Sequence, residues 1–286
     1  MISIIISSYL PDYFSALEKN IAETVGVPYE IIKIDNPGLM GICEAYNKGA
    51  EKAQFDNLLF THEDILFKDK NWGSKLISHL YHKNTGIVGL AGSSYVPAAP
   101  SSWTVSEKYN FANILQGNKE NTDYIKIDST KELRTKVLAV DGVFLAITKS
   151  NYGQILFDEN LQGFHGYDLD FTLRTSKKFQ NYVVNDILIQ HFSAGNLDKV
   201  WLNANIKIRE KLGSDFHKTF DFEVEKDVFL SFLYKYFSYY PVTLKNIFFT
   251  LKFYPSGRLH FKDRINIWKK YLSYLRYASS INKKIK

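Results

Sequence analysis

The opening third of the chain constrains the fold more than any other stretch. Three short apolar runs, Ile2 to Ser7, Tyr29 to Ile34 and Leu58 to Phe60, alternate with two segments of helical period. The first segment repeats Leu17, Ile21 and Val25 at spacings of four; the second, Gly41 to Ala53, presents Ala45, Gly49 and Ala53 as a small-residue face suited to close packing on a sheet. Strand–helix–strand–helix–strand with short connections is the pattern of a parallel, doubly wound α/β sheet. In such a sheet the carboxyl ends of the strands share one edge, and ligands bind in the crevice beyond it. Here those ends are polar: Ser8-Tyr9, Asp35-Asn36 and His62-Glu63-Asp64.

Each end offers a recognisable chemistry. Tyr9 can stack on a base, and Asp35 can hydrogen-bond a base or ribose. His62 and Asp64 can give one imidazole nitrogen and one carboxylate to the same divalent ion. The same three residues also read as a plain polar strand end whose Asp64 caps the next turn. Neither G-x-G-x-x-G nor G-x-x-x-x-G-K-[ST] occurs, which weakens the dinucleotide and P-loop readings. A nucleotide held through a metal fits better.

Further along, Lys75 to Tyr81 reads as a helix and Gly86 to Gly92 as a buried strand. Residues 93–136 lack a regular pattern, and loops of that length are usually functional or mobile. Val137 to Val140 leads through Asp141-Gly142 into Val143 to Ile147, an acid set between two apolar runs. Asp168 and Asp170 stand at a helix start, where free amides and the dipole favour carboxylates. One acid satisfies that role and leaves the other as a candidate general base. Val183 to Gln190 is a strand that delivers His191; a lone histidine there is more often structural than a ligand.

In order along Ile2 to about Gly195, these motifs resemble the inverting family 2 glycosyltransferases, which have the nucleotide-sugar-binding GT-A fold. Ser7-Ser8-Tyr9 stands where that family has a Pro-Thr-Tyr-like turn, and Asp35-Asn36 where its nucleobase-contacting Asp lies. Gly41-Ile42-Cys43-Glu44-Ala45-Tyr46-Asn47-Lys48-Gly49 matches Gly-x-x-x-Ala-x-Asn-x-Gly, the most specific agreement. His62-Glu63-Asp64 occupies the Asp-x-Asp metal motif with its first Asp replaced. Gly166-Tyr167-Asp168-Leu169-Asp170 matches Gly-Glu-Asp-x-Asp with Tyr167 in place of Glu. The resemblance implies Asp168 as catalytic base and Asp64, His191 and His62 as ligands of Mn²⁺ or Mg²⁺. It implies Ser8, Tyr9, Asp35, Asn47 and Glu63 on the donor nucleotide, and Asp141, Gly142 and Tyr167 on the acceptor side.

Charge sets the end of the chain apart. The whole carries +6, but residues 226–286 hold 13 Lys and Arg against Asp227 and Asp263, so a basic tail follows a mildly acidic body. In that tail 16 residues are Phe, Tyr or Trp. Ile267, Trp268, Tyr271, Leu272, Tyr274 and Leu275 recur at helical spacing between Lys269, Lys270 and Arg276. Such a basic amphipathic helix suits an anionic membrane surface; equally, it describes a helical subdomain that packs its aromatics inward. Single-strand nucleic-acid binding also pairs aromatics with basic residues, but the period here is helical and no such motif occurs, so no nucleic-acid partner is expected. One cysteine, Cys43, excludes an internal disulfide. Met1 to Ile6 lacks a basic n-region, and no run approaches the length of a membrane span, so a cytoplasmic protein is expected, peripheral at the membrane if the tail docks.

The expected organisation is a GT-A-like catalytic domain over 1–220, with a mixed, mostly parallel sheet flanked by helices. A helical, basic-aromatic region follows over 221–286. The expected activity is metal-dependent, inverting transfer of a hexosyl-type sugar from a nucleotide-sugar, with uridine diphosphate as the default nucleotide. The acceptor would be a glycan or a lipid-linked sugar, as in bacterial surface polysaccharide assembly. A non-catalytic sugar- or nucleotide-binding module of the same fold is the alternative. A nucleotidyltransferase is disfavoured because Ser7 to Pro11 lacks a glycine-rich, basic loop.

Overall fold

The computed structural model describes residues 1–118, 121–130, 132–193 and 195–285. They form two compact units, Met1–Tyr95 with Glu107–Asn196, and Val96–Ser106 with Leu197–Lys286. The division thus falls upstream of residue 220, and an excursion at 96–106 belongs with the C-terminal helices.

The first unit opens with β1 (Ile2–Ser8), α1 (Pro11–Thr24), β2 (Tyr29–Asp35), α2 (Ile42–Lys52) and β3 (Asn57–Thr61). It continues through β4 (Ile65–Phe67), α3 (Trp72–Leu80), β5 (Thr85–Gly89) and β6 (Ala91–Ser93). Then come the hairpin β7 (Asn110–Asn118) and β8 (Asn121–Asp128), β9 (Arg134–Val137), β10 (Ala139–Val140) and β11 (Phe144–Thr148). The unit closes with α4 (Lys149–Tyr152), α5 (Tyr167–Ser176), β12 (Gln180–Val184) and β13 (Ile189–His191). Among the described residues the main sheet runs β2-β1-β3-β11-β5-β12-β9. β1 pairs in parallel with β2 and β3, and β12 with β5, while β11 runs antiparallel to both its neighbours. This is the mixed, mostly parallel α/β sheet that the pattern predicts. A second sheet, β10-β6-β7-β13-β4, lies against its carboxyl edge in sequence: β4 follows directly on β3.

Two expected strands are each split between the sheets. The run 86–92 breaks at Leu90 into β5 and β6, and the run 183–190 breaks after Val184 into β12 and β13. The stretch 93–136 is no long loop, because β7 and β8 pair across it. Their signal is hidden because β7 buries a polar residue: Asn113, 4% exposed, donates its side-chain amide to Asn185 O and Ile187 O. That polar residue at an inward position erases the two-residue alternation that marks a half-buried strand.

The second unit holds α6 (Lys199–Leu212), α7 (Phe222–Tyr239), α8 (Leu244–Leu251), α9 (Phe261–Arg276) and α10 (Ala278–Asn282). Phe229, Phe232, Tyr236, Phe237 and Phe253 are buried and meet ring to ring. Glu225, with no exposed surface, accepts from Arg258 and from the backbone of Ala98, which fastens the 96–106 excursion to the helices.

The small-residue face of α2 meets β1 as its sequence implies. Leu17 and Ile21 of α1 and Ala45 of α2 are fully buried, and Gly49 lies directly on Ile5. A Cβ on Gly49 would overlap Ile5 Cγ2, a stiff β-branched side chain with no room to turn. Overpacking of this kind costs about 1–3 kcal/mol. Gly49→Ala is therefore expected to lower the midpoint of thermal unfolding by several degrees, read by circular dichroism, despite the better helix propensity of alanine.

Candidate active site

The parallel register of β1, β2 and β3 brings Ser8, Asp35 and the residues after Thr61 to one edge. Glu63 organises that edge. Its carboxylate accepts from Ser8 Oγ at 2.6 Å and from the backbone N–H groups of Tyr9 and Leu10 at 3.1 and 3.0 Å. Glu63 and Ser8 are both buried, and they tie the β1–α1 turn to the end of β3. Asn36, 1% exposed, does the same for the β2 end, donating to Ser7 Oγ and Met40 O and accepting from Met40 N.

His62 and Asp64 flank Glu63, and His191 joins them from β13. Register pairs His191 with Ile65, and Phe192 N donates to Asp64 O, so the second sheet delivers the third residue. His62 Nδ1 lies 3.8 Å and His191 Nε2 3.7 Å from the same Asp64 Oδ1. One ligand atom from each falls within 4.8 Å of the others. Each imidazole is held through its other nitrogen. Tyr167 OH meets His62 Nε2 at 2.8 Å, and Gln116 Oε1 meets His191 Nδ1 at 3.1 Å. Such a partner fixes which nitrogen is free to bind a metal. Gln116 is in turn fixed through its amide, which donates to Ser193 O. Burial holds the pKa of His191 below the usual imidazole range, with the Asp64 charge opposing, and the neutral ring is the form that binds a cation. Two imidazoles and one carboxylate fit Mn²⁺ better than Mg²⁺, which prefers oxygen ligands.

The turn Asp141-Gly142 and the start of α5 form an adjoining wall. Gly166, at φ 78°, takes the left-handed conformation that glycine adopts without strain and starts the helix. Tyr167 is buried, and its hydroxyl presses on Gly142, where a Cβ would overlap it. Asp170 is spent on Arg174, at 2.8 Å from Nε and 2.7 Å from Nη2. Asp168 is not spent on a cation. Part of its surface is accessible, while its carboxylate sits deep among protein atoms, which pushes its pKa up to about 7. The Asp141 charge adds to the rise, and the backbone N–H groups of Leu169 and Gly142 offset part of it. Asp141 itself accepts from Val143 N at 2.8 Å.

A cleft of about 460 Å³ lies along this edge, lined by Tyr9, Asn36, Tyr46, His62, Asp64 and Tyr167 among others. Tyr9 is 62% exposed at its rim. Asp35 stands outside the lining and pairs with Lys33 at 2.7 Å. Asp141, Asp168 and His191 also stand outside the lining. Asn47 does not reach the cleft: its amide donates to Phe157 O and Glu159 Oε1 and accepts from Phe157 N. It fastens α2 to the 152–159 segment. Tyr46 and Gln116 are the site residues that pattern reading passes over. Tyr46 is an unspecified position of the α2 motif, and its ring meets Tyr167 edge-on at 5.8 Å. Gln116 lies in the strand hidden by its polar neighbours.

The sequence matches the family described as "Glycosyltransferase like family" over residues 4–221. Among solved structures, residues 1–349 of TarS from S. aureus superpose with a TM-score of 0.55 at 13% identity, over 98% of this chain and 87% of that one. The same protein in complex with UDP-GlcNAc gives 0.53 at 13% identity, over 98% and 88%. GalNAc-T7 with UDP, GalNAc and Mn²⁺ gives 0.51 at 12% identity, over 73% of this chain and 48% of that one, so this chain spans about half its length. At such identities the likeness shows the fold, a GT-A-like α/β domain followed by helices. No curated protein matched the sequence.

The hydroxyl of Tyr167 is the feature whose removal separates metal binding from folding. Tyr167→Phe keeps the ring but leaves His62 Nε2 unpartnered. It is expected to weaken Mn²⁺ binding about 10–100-fold by calorimetry, the usual cost of losing a partner behind a ligand. Gly142→Ala, which displaces the same ring, should weaken it at least as much.

Proposed function

Because the chain belongs to the glycosyltransferase-like family, we propose that it is an inverting, metal-dependent transferase that moves a sugar from a nucleoside-diphosphate donor to a hydroxyl acceptor. The observation that carries this reading is the gathering of His62, Asp64 and His191 beside a cleft of about 460 Å³ whose lining includes Tyr167, the residue before Asp168. UDP is the proposed nucleotide, in keeping with the UDP-GlcNAc bound to TarS and the UDP bound to GalNAc-T7. A divalent cation held by Asp64, His62 and His191 would supply Lewis-acid relief of the charge that builds on the leaving diphosphate.

The chain's own residues do the rest. In this reading Tyr9, exposed at the rim, stacks on the base, and Asp35, which here pairs with Lys33 outside the cleft lining, turns from that lysine to accept from the base. Glu63, itself part of the cleft lining, and Ser8 and Asn47 outside it hold the backbone that shapes the cleft. Asp168 takes the proton of the acceptor hydroxyl at its carboxylate oxygen. With a pKa near 7 it is basic enough to accept that proton and ionised enough to be ready for it. Asp141 and Tyr167 border the acceptor, a glycan or a lipid-linked sugar. The hydroxyl attacks the anomeric carbon opposite the diphosphate, so the product carries the inverted configuration.

The first experiment is calorimetric titration with UDP, with and without Mn²⁺, on wild type and Asp64→Ala. Metal-dependent binding lost in Asp64→Ala is expected. Failure to bind any nucleoside diphosphate would favour a binding module of the same fold, and a product of retained configuration would overturn the single-base mechanism.

Asp168 gives a two-sided expectation. Its activity-linked form is the carboxylate, so kcat/KM should rise with pH and level off above about 7. Asp168→Asn should reduce transfer roughly 10²–10⁴-fold with little change in UDP binding. The stability effect has the opposite sign. A carboxyl raised from 3.8 to about 7 holds its proton in the folded state after the unfolded chain has released it, so stability falls as pH rises through that window. Asp168→Asn is therefore expected to unfold at a higher temperature than wild type at pH above 7, and to lose that advantage in acid.

A further inference from the structure

Helix α9 carries two apolar stripes, one buried and one largely exposed, with Trp268 of the exposed stripe meeting the neighbouring rings of Tyr254 and Tyr271. Ile267, Tyr271 and Tyr274 are buried within the C-terminal unit, where Tyr271 OH meets Thr250 Oγ1 at 2.9 Å and Tyr274 packs on Phe237. Phe261, Ile265, Trp268, Leu272 and Leu275 recur at alternating spacings of four and three, and they are 41% to 77% exposed. Residues at those spacings form one continuous face of a helix. Basic residues run beside it: Lys262, Lys269 and Arg276 each directly follow a stripe residue, and all three are exposed. The one acid on the helix is Asp263. Helix α8 adds exposed Leu244 and Phe248 around Lys245.

We infer that the outer face of α9 is a docking surface for an anionic lipid bilayer, with the helix lying in the plane of the interface. Large apolar side chains enter the boundary between headgroups and acyl chains, and the basic row meets lipid phosphates. Tryptophan in the middle of the stripe suits that depth, since its ring is apolar and its N–H needs a polar partner. No helix among the described residues is long and apolar enough to cross a membrane, so attachment is peripheral. A second copy of the chain is the competing occupant, and charge argues against it. In a two-fold pairing the same face meets itself. Lys262, Lys269 and Arg276 would then be brought up to their own copies with little acid on the helix to oppose them. The inference stands on the C-terminal unit alone and does not depend on the transferase reading.

The test is flotation of the full-length protein with phosphatidylglycerol vesicles and with phosphatidylcholine vesicles, alongside sedimentation without lipid. Wild type should float with the anionic vesicles and lose that binding as salt is raised. Lys262→Gln/Lys269→Gln/Arg276→Gln should bind the anionic vesicles roughly 100-fold more weakly, at a few-fold for each charge. Trp268→Ser/Leu272→Ser should abolish flotation, and because Trp268 also packs on Tyr254 and Tyr271, Leu272→Ser alone, 65% exposed, should weaken flotation at the wild-type unfolding temperature. Equal binding to neutral and anionic vesicles, or none to either, would overturn the inference. So would a dimer in the absence of lipid that Trp268→Ser/Leu272→Ser dissociates.

Discussion

The buried carboxylate of Glu63 is the interaction on which the site depends. Glu63 stands between His62 and Asp64 in the short bend that joins β3 to β4, so tethering it tethers the segment that carries both. Three hydrogen bonds hold it there, from Ser8 Oγ and from the amides of Tyr9 and Leu10. Hydrogen bonds to an ionised acceptor are roughly twice as strong as neutral ones, and burial raises what is lost if any is missing. One side chain therefore ties the turn that carries Tyr9 to the bend that carries two candidate ligands.

The third ligand arrives by a different route. β12 belongs to the main sheet and β13 to the second, and the switch between them places His191 opposite Ile65. The second sheet also carries Gln116, through the pairing of β7 with β13. The candidate ligand and the residue that orients it thus come from neighbouring strands of one ladder. A histidine in place of an acid at position 62 lowers the negative charge of the site, and its ring is placed by a phenol rather than by a cation. This is a site built from neutral donors around a single carboxylate.

Much of this was legible before any coordinates. The alternation of apolar runs and helical periods predicts the parallel core, and polar residues at the strand ends predict the edge where the site lies. Asp64 and Asp141 stand out as acids beside apolar runs, and Asp168 as one of two acids at a helix start where one suffices. The misses share a physical cause. Asn113 and Gln116 make a buried strand look like a loop, because their polar groups are satisfied by backbone that the sequence does not bring near. Asn47 and Glu63 keep motif positions, and their hydrogen bonds reach segments distant in the chain, Glu63 while also lining the cleft. Pattern reading finds that such a residue matters and cannot tell holding from touching. The 96–106 excursion, which joins helices more than a hundred residues further on, is likewise a grouping that no local pattern announces.

The contact between Gly142 and the Tyr167 hydroxyl restricts how this site can change over time. Any side chain at 142 needs the space the phenol fills, so the two positions are epistatic: the effect of a change at one depends on the state of the other. A smaller residue at 167 could arise first and would release 142 to vary. The reverse order would pass through a damaged intermediate, with His62 deprived of its partner. The tyrosine thus acts as a ratchet on its own neighbourhood, and relatives that carry a bulkier residue at the position of Gly142 should lack the aromatic ring opposite it.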